Sequence, residues 1–186
     1  IGATTETDGK DSLEQMVRAA ADAGLEYIAI TDHSQSLAMA NGLDERRALA
    51  HAARIRAPDG QYGVRVLAGI ECDILSDGRL DLADDCLAQL DLVVASVHSA
   101  FAMEKAQMTD RLLRAVEHPQ VDILGHPTGR RILRREPYAM DIDAIVRAAK
   151  TCGVALEINS QIERLDLSDI NARLARDRGV PLVISS

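Results

Sequence analysis

The sequence predicts an α/β fold whose parallel strands form either an open doubly wound sheet or a barrel. Two observations support this prediction. Short apolar runs rich in Val, Ile and Leu recur along the chain, and segments with the periodicity of amphipathic helices lie between them. Successive runs begin roughly 27 to 37 residues apart, which is the size of one βα unit. Because the sequence has no Gly-rich phosphate loop, dinucleotide-binding and P-loop folds are disfavoured.

Each apolar run has the length and composition of a strand that is buried on both faces. The first of them reads Tyr-Ile-Ala-Ile-Thr and is followed directly by Asp32. The six predicted strands cover residues 27–31, 64–70, 91–97, 121–125, 154–158 and 180–184.

Helix start and stop signals occupy the gaps between these strands. Asp11 or Ser12 can cap the first helix, and Gly24 can end it. Five further helices are predicted over residues 44–57, 80–90, 103–117, 142–152 and 169–178. No linker or low-complexity stretch interrupts the alternation, so residues 1–186 are predicted to form a single domain.

Composition excludes several classes of protein. No apolar run approaches the roughly 18 residues of a membrane-spanning helix, so no membrane partner is expected. The net charge of −8 disfavours a protein that coats nucleic acid, because such binding needs many Lys and Arg side chains. The three cysteines are scattered, which argues against a disulfide framework and a zinc finger. With no signal peptide visible, the sequence predicts a cytoplasmic protein.

Residues of the types that bind metals lie at the carboxyl ends of five successive predicted strands. They are Asp32 with His33, Glu71, His98, His126 and Glu157. The carboxyl ends of the strands in a parallel barrel meet on one face, where active sites lie. The repetition at consecutive strand ends therefore predicts a metal or catalytic site on that face.

Imidazole and carboxylate groups around one point form a site for Zn, Mn or Fe. A carboxylate such as that of Glu71 can bridge two ions, and two ions can activate a water and hold a phosphoryl oxygen. The other two histidines, His51 and His118, lie within or at the end of predicted helices. They are predicted to be surface residues.

Five motifs along the chain resemble, in order, those of the PHP (polymerase and histidinol phosphatase) domain family. The fifth motif, Gly-His-Pro-Thr-Gly-Arg, is most similar to the PHP domain of bacterial family X DNA polymerases. The resemblance covers essentially the whole chain. The motifs are Thr4–Gly9, Ile30–Ser34, Gly69–Glu71, Ser96–Ser99 and Leu124–Arg130.

The resemblance implies a distorted (β/α)7 TIM-like barrel with its active site at the carboxyl ends of the strands. It also implies phosphoester hydrolysis with up to three metal ions, Mn, Zn or Fe. In family X polymerases this domain is associated with 3′–5′ exonuclease activity and DNA end processing. The implied partners are a DNA 3′ end or another phosphate ester and a flanking polymerase domain. The positions that match family metal ligands are Asp8, His33, Glu71, His98 and His126.

Two further residues are predicted to take part in catalysis. Asp32, beside His33, would orient metal ligands, and Arg130 would hold a substrate phosphate. The arginines that follow at 131, 134 and 135 are predicted to lie on a solvated loop or helix face, although they could also contact a DNA backbone.

The sequence departs from the family pattern at both ends. Ile1 and Ala3 stand where the family has a His-x-His motif, and the chain ends at Ser186 before the expected Asp-x-His motif. Either the chain is a trimmed piece of a longer protein, or the site is natively degraded. Two alternative functions therefore stay open. One is a small-molecule phosphatase of the histidinol-phosphate type, and the other is a non-catalytic scaffold.

Overall fold

The computed structural model describes residues 1–185 and divides the chain into two compact units. The first unit comprises Ile1–Cys72 and Asp81–Val93, and the second comprises Asp73–Leu80 and the chain from Val94 onward. Each unit combines helices with parallel strands, which confirms the predicted α/β class.

In the first unit, β1 pairs in parallel with β2, with Tyr27 opposite Arg65 and Ile30 opposite Ala68. The last residue of β2, Asp73, opens the second unit. The elements of the first unit are α1 (Leu13–Asp22), β1 (Tyr27–Ile30), α2 (Glu45–Arg56), β2 (Arg65–Asp73) and α3 (Asp84–Leu87).

Local signals begin α1 and α2 where the sequence predicts them. Ser12 caps α1 through a reciprocal capping box with Gln15, and the Asp44 carboxylate accepts the Arg47 backbone N–H at the start of α2. The helices pack their apolar stripes against the two strands. The buried core consists of Val17, Ile30, Ala52, Ile55, Val66 and Ala68. Each large aliphatic side chain in this core contributes about 1.5–3 kcal/mol to folding.

In the second unit, β3 (Leu92–Ser96), β4 (Ile123–Leu124), β5 (Ala155–Asn159) and β6 (Leu182–Ser185) follow one another in parallel register. The first two residues of β3 belong to the first unit, and its paired residues, Val94 and Ala95, belong to the second. The helices of the second unit are α4 (Lys105–Val116), α5 (Ile142–Cys152) and α6 (Asp169–Asp177).

A buried cation attaches the Asp73–Leu80 segment to α4. Arg111 is 1% exposed, and its guanidinium donates hydrogen bonds to the backbone carbonyls of Ile74, Leu75 and Ser99. Burial lowers the pKa of this guanidinium, because the charged form loses hydration. The three carbonyl acceptors compensate for that loss, and they fix the chain just after Asp73 and just after His98.

Three outcomes refine the predictions. The predicted helix over 80–90 is short, because Leu80 pairs with Ile74 in a β-bridge and only Asp84–Leu87 is helical. Residues 1–185 form six strands, so the seven-stranded TIM-like barrel is not confirmed and stays a prediction. No helix within these residues is long and apolar enough to cross a membrane.

Candidate metal centre

One group of candidate metal ligands lies in the first unit. The His33 imidazole lies between two carboxylates, with Nε2 3.5 Å from Asp8 Oδ1 and Nδ1 3.7 Å from Glu71 Oε2. These distances exceed those of an N–H···O hydrogen bond. Two ligands of one tetrahedral zinc-like ion lie about 3.4 Å apart, from bond lengths near 2.1 Å. The spacing therefore suits atoms that share an ion.

Backbone pairing beyond β1 and β2 brings His33 and Glu71 together. The two residues form a parallel β-bridge, in which the Ser34 N–H donates to the Glu71 carbonyl and the Glu71 N–H donates to the Asp32 carbonyl, both at 3.0 Å. Both side chains are mostly buried, at 13% and 19% exposure, whereas the Asp8 side chain is half exposed. Asp8 comes from the loop before α1.

Asp32 holds that loop in place. Its carboxylate accepts the Thr4 backbone N–H at 2.8 Å, the Thr4 hydroxyl at 3.0 Å and the Thr7 hydroxyl at 2.6 Å. Asp32 is fully buried. Thr7 precedes Asp8, so the position of a candidate ligand depends on this buried carboxylate.

His51 completes the environment of Asp32, and the prediction that it is a surface residue is wrong. It is 4% exposed, and its Nε2 lies 2.7 Å from Asp32 Oδ2. The Arg54 guanidinium lies 3.1 Å from Nδ1, so Nδ1 is the acceptor and Nε2–H donates to Asp32. The buried face of α2 consists of Ala48, His51, Ala52 and Ile55. This helical spacing is visible in the sequence and could have identified His51 as buried.

The ionisation of Asp32 depends on these contacts. Burial disfavours the carboxylate, but the hydrogen bonds from His51 and Thr7 outweigh it. The net result is a pKa below the usual aspartate value. Asp32 is therefore a buried carboxylate that its donors stabilise.

A second group of candidate ligands lies in the second unit. The His98 and His126 rings are edge to face, with centroids 5.1 Å apart, and His126 is 4% exposed. His98 Nδ1 contacts the Asp73 carboxylate, so the opposite nitrogen, Nε2, is the one oriented for a metal ion. Carboxylates beside metal-binding histidines fix the ring in this way. Asp73 was not predicted as a site residue, because nothing in its strand distinguishes it from a structural residue.

The backbone at His126 adopts an uncommon conformation. Its φ is 25°, in the left-handed region that non-Gly residues rarely occupy, and its N–H donates to the buried Glu157 carboxylate. The Ser185 hydroxyl also donates to Glu157. Next to His126, a Cβ at Gly125 would lie 2.4 Å from the Ser96 hydroxyl oxygen. The close approach of three strand ends thus requires glycine here.

The loop after His126 is held by a second buried carboxylate, Asp166. It is fully buried and accepts the Thr128 N–H at 3.0 Å and the Thr128 hydroxyl at 2.9 Å. Burial raises the pKa of Asp166, against the opposing effect of these hydrogen bonds. Asp166 was also not predicted as a site residue, because it lies far along the chain in a polar loop.

Arg130, the predicted phosphate-binding residue, is partly buried at the end of the same loop. Its Nε donates to the Arg164 carbonyl at 2.9 Å and its Nη2 donates to the Leu165 carbonyl. These bonds use two of the five N–H groups of a guanidinium. Arg130 therefore joins the loops after β4 and β5.

Gly129 offers a direct test of how tightly this loop packs. Its φ is +63°, and an added Cβ would lie 2.4 Å from the Tyr138 ring. Gly129→Ala should destabilise the protein by about 1–2 kcal/mol through the left-handed backbone. Overpacking should add about 1–3 kcal/mol. The measurement is the free energy of unfolding in urea.

Gly153→Ala is the matched control for that substitution. Gly153 has φ +76° with no atom within 4 Å of an added Cβ, so only the backbone cost applies. Equal destabilisation by the two substitutions would show that the Tyr138 contact is unimportant.

The donor atoms of both groups fit a divalent metal. The first group combines one imidazole with two carboxylates, and the second offers two imidazoles. These are the ligand types of Zn, Mn and Fe sites. Three of the five predicted ligands, Asp8, His33 and Glu71, come together in the first unit. The other two, His98 and His126, come together in the second.

Comparison with known proteins is consistent with this chemistry. Residues 4–161 match the PHP domain. The chain is 43% identical to the DNA polymerase/3′-5′ exonuclease PolX of Bacillus subtilis over 98% of its own length and 32% of that protein. It is 32% identical to a "Probable phosphatase" of Acetivibrio thermocellus over 80% of its length and 58% of the relative. The chain thus spans about a third of the first relative and a little under three fifths of the second.

A solved structure shares the fold. The histidinol phosphate phosphatase of Lactococcus lactis, in complex with zinc, L-histidinol and phosphate, matches 99% of this chain and 82% of that one. The TM-score is 0.67 and the sequence identity is 16%. At so low a sequence identity, the similarity shows a shared fold and nothing about a shared substrate.

Proposed function

The chain belongs to the PHP domain family, and from this premise we propose that it is a metal-dependent phosphoesterase domain that acts at the 3′ end of DNA as part of a family X DNA polymerase. The observation that carries the proposal is the pair of candidate ligand groups near strand ends, one with an imidazole and two carboxylates and the other with two imidazoles. The 43% identity to PolX supports DNA over other phosphate esters.

Asp8, His33 and Glu71 would hold metal in the first unit, and His98 and His126 would hold it in the second. A bound divalent ion supplies Lewis acidity toward a phosphoryl oxygen and neutralises charge that develops in hydrolysis. Mn, Zn and Fe are the proposed ions, with up to three in the intact family site.

The chain's own residues position these ligands. Asp73 holds the His98 ring by Nδ1 and so directs Nε2. Asp32 fixes the Thr4–Thr7 loop and thereby the position of Asp8. We propose for Asp32 a positioning role without substrate contact, because it is fully buried. The N–H groups of Arg130 beyond the two that anchor its loop would bind a substrate phosphate.

A small-molecule phosphatase is the second candidate. The Acetivibrio relative named "Probable phosphatase" and the net charge of −8 both favour it, because an acidic surface attracts a polyanion poorly. A non-catalytic scaffold is the third candidate, favoured by Ile1 and Ala3 at positions where the family has histidines.

The test begins with metal content per chain, measured by elemental analysis after purification without chelator. Two or more Mn, Zn or Fe ions per chain are expected, followed by Mn-dependent release of nucleotides from a single-stranded DNA 3′ end that exceeds hydrolysis of a phosphate monoester. Faster monoester hydrolysis would replace the DNA proposal with the small-molecule phosphatase. Metal content near zero with no hydrolysis would favour the scaffold.

A further inference from the structure

Two loops of the second unit form a surface that the proposed chemistry does not use. We call residues 130–136 and 161–165 the arginine surface. The first loop is a tight hairpin closed by a β-bridge between Arg131 and Arg135. The second is joined to it by the Ile132 N–H, which donates to the Glu163 carbonyl at 2.6 Å. The two loops thus form one continuous surface that begins four residues after His126.

This surface is locally basic in an acidic protein. It contains five arginines and two glutamates, a formal charge of +3 in a chain whose net charge is −8. Several of the guanidinium groups repel one another. Burial, and then the charges of Arg164 and Arg131, lower the pKa of Arg135. An anion placed among these side chains would relieve that repulsion.

Some donors of this surface need an acceptor that the protein does not supply. Arg131 Nε and Arg164 Nη1 are buried atoms with no hydrogen-bond partner among the residues that the structure describes. A buried donor without a partner is costly, so these side chains are incompletely paired within the protein. The Arg131 and Arg134 side chains are also 40% and 67% exposed, and phosphate oxygens are strong acceptors for such guanidinium groups. Only part of the local charge is neutralised by Glu163, which pairs with Arg131 and lies 4.0 Å from Arg134.

Apolar side chains project beside these arginines. Leu133 at the hairpin tip is fully exposed, and Ile162 is 89% exposed. Leu133 has a φ of 61°, in the left-handed region that non-Gly residues rarely occupy. Free phosphate would use the arginines alone, whereas unstacked bases offer apolar faces as well. Arginine and exposed aliphatic groups side by side therefore favour a single-stranded nucleic acid.

We propose that the arginine surface binds a single-stranded nucleic acid, with Arg131, Arg134 and Arg164 on its phosphates and with Leu133 and Ile162 against its bases. The inference rests on the proposed function in that the bound strand leads to the candidate metal centre beside His126. It extends that function by naming a docking surface that the metal ligands do not include.

The test measures binding without catalysis. The complete chain in EDTA is titrated against a fluorescein-labelled oligothymidylate of about 20 nucleotides, longer than a typical single-strand site. Fluorescence anisotropy is recorded at several salt concentrations. For Arg131→Gln with Arg134→Gln, the loss of two phosphate contacts should reduce the slope of log affinity against log salt by about 1.4. At 0.1 M salt this corresponds to binding weaker by about 25-fold.

Three further variants sharpen the result. Arg134→Gln alone, at an exposed side chain, should reduce the slope by about 0.7 without affecting folding. Leu133→Ser with Ile162→Ser should weaken binding at an unchanged slope, because no charge is removed. Arg147→Gln with Arg173→Gln removes the same charge from α5 and α6 and should leave affinity and slope unchanged.

Wild-type affinity for the oligonucleotide in the double variant Arg131→Gln/Arg134→Gln would overturn the inference. An equal loss of affinity in the control variant of α5 and α6 would overturn it too. Undetectable binding by the wild-type chain would overturn it as well. Failure of the proposed function is a separate result, because it appears as absent Mn-dependent hydrolysis of bis(p-nitrophenyl) phosphate while oligonucleotide binding persists.

Discussion

Replacing His98 with alanine should reduce Mn-dependent phosphodiester hydrolysis at least 100-fold. The imidazole is a proposed metal ligand whose ring is fixed by the Asp73 carboxylate, so its loss removes a donor and the contact that orients it. Asp73→Asn should reduce activity by about 10–100-fold, because it changes only the group that orients the ligand. Metal affinity, measured by competition with a chelating dye, should fall more in His98→Ala than in Asp73→Asn.

His118→Ala is the control for this series. His118 is a half-exposed histidine at the end of α4, outside both candidate ligand groups, and its Nδ1 accepts the Gln120 N–H. Activity and metal affinity should remain at wild-type levels in this variant. Wild-type metal affinity in His98→Ala would remove His98 from the metal centre and leave the second unit without the proposed site.

Replacing Asp32 with alanine should destabilise the protein by about 3–5 kcal/mol, as measured by urea unfolding in EDTA. The carboxylate is fully buried and accepts hydrogen bonds from Thr4, Thr7 and His51. Removing one member of such a buried network leaves the other groups desolvated and without partners. Because the total stability of a domain is about 5–15 kcal/mol, this is a large fraction of it.

Asp22→Ala supplies the matched control at an exposed aspartate of the same unit. It should change the free energy of unfolding by less than about 0.5 kcal/mol. If Asp32→Ala were equally mild, the buried network would not hold the Thr4–Thr7 loop.

The effect of Asp32 should also depend on pH. Its pKa is lower in the folded protein than the usual value of about 3.9, so the unfolded chain binds the proton more tightly. The stabilisation is present in full above the unfolded pKa and is lost as the pH falls through the folded pKa. The difference in unfolding free energy between wild type and Asp32→Ala should therefore shrink on acidification below about pH 4. A constant difference would contradict this account.

Much of the candidate site could be predicted from the sequence, because its ligands follow strands that local periodicity reveals. The predicted ligands Asp8, His33 and Glu71 come together in one unit, and His98 and His126 in the other. The interpretation of His51 was wrong, although its place on the apolar face of α2 was visible as a spacing of three and four residues. The family relationship, predicted from five short motifs, is confirmed.

The sequence by itself determined the alternation of strands and helices, the cap that begins α1, and the candidate ligand residues at the strand ends. All of these depend on neighbours a few positions apart, where backbone geometry fixes which side chains share a face. Only the tertiary structure decided which buried groups support the ligands. Asp32 pairs with His51 across 19 residues, Asp73 with His98 across 25, and Asp166 with Thr128 across 38. Local periodicity carries no information about such partners, because a hydrogen bond forms only when folding brings its donor and acceptor to within about 3 Å.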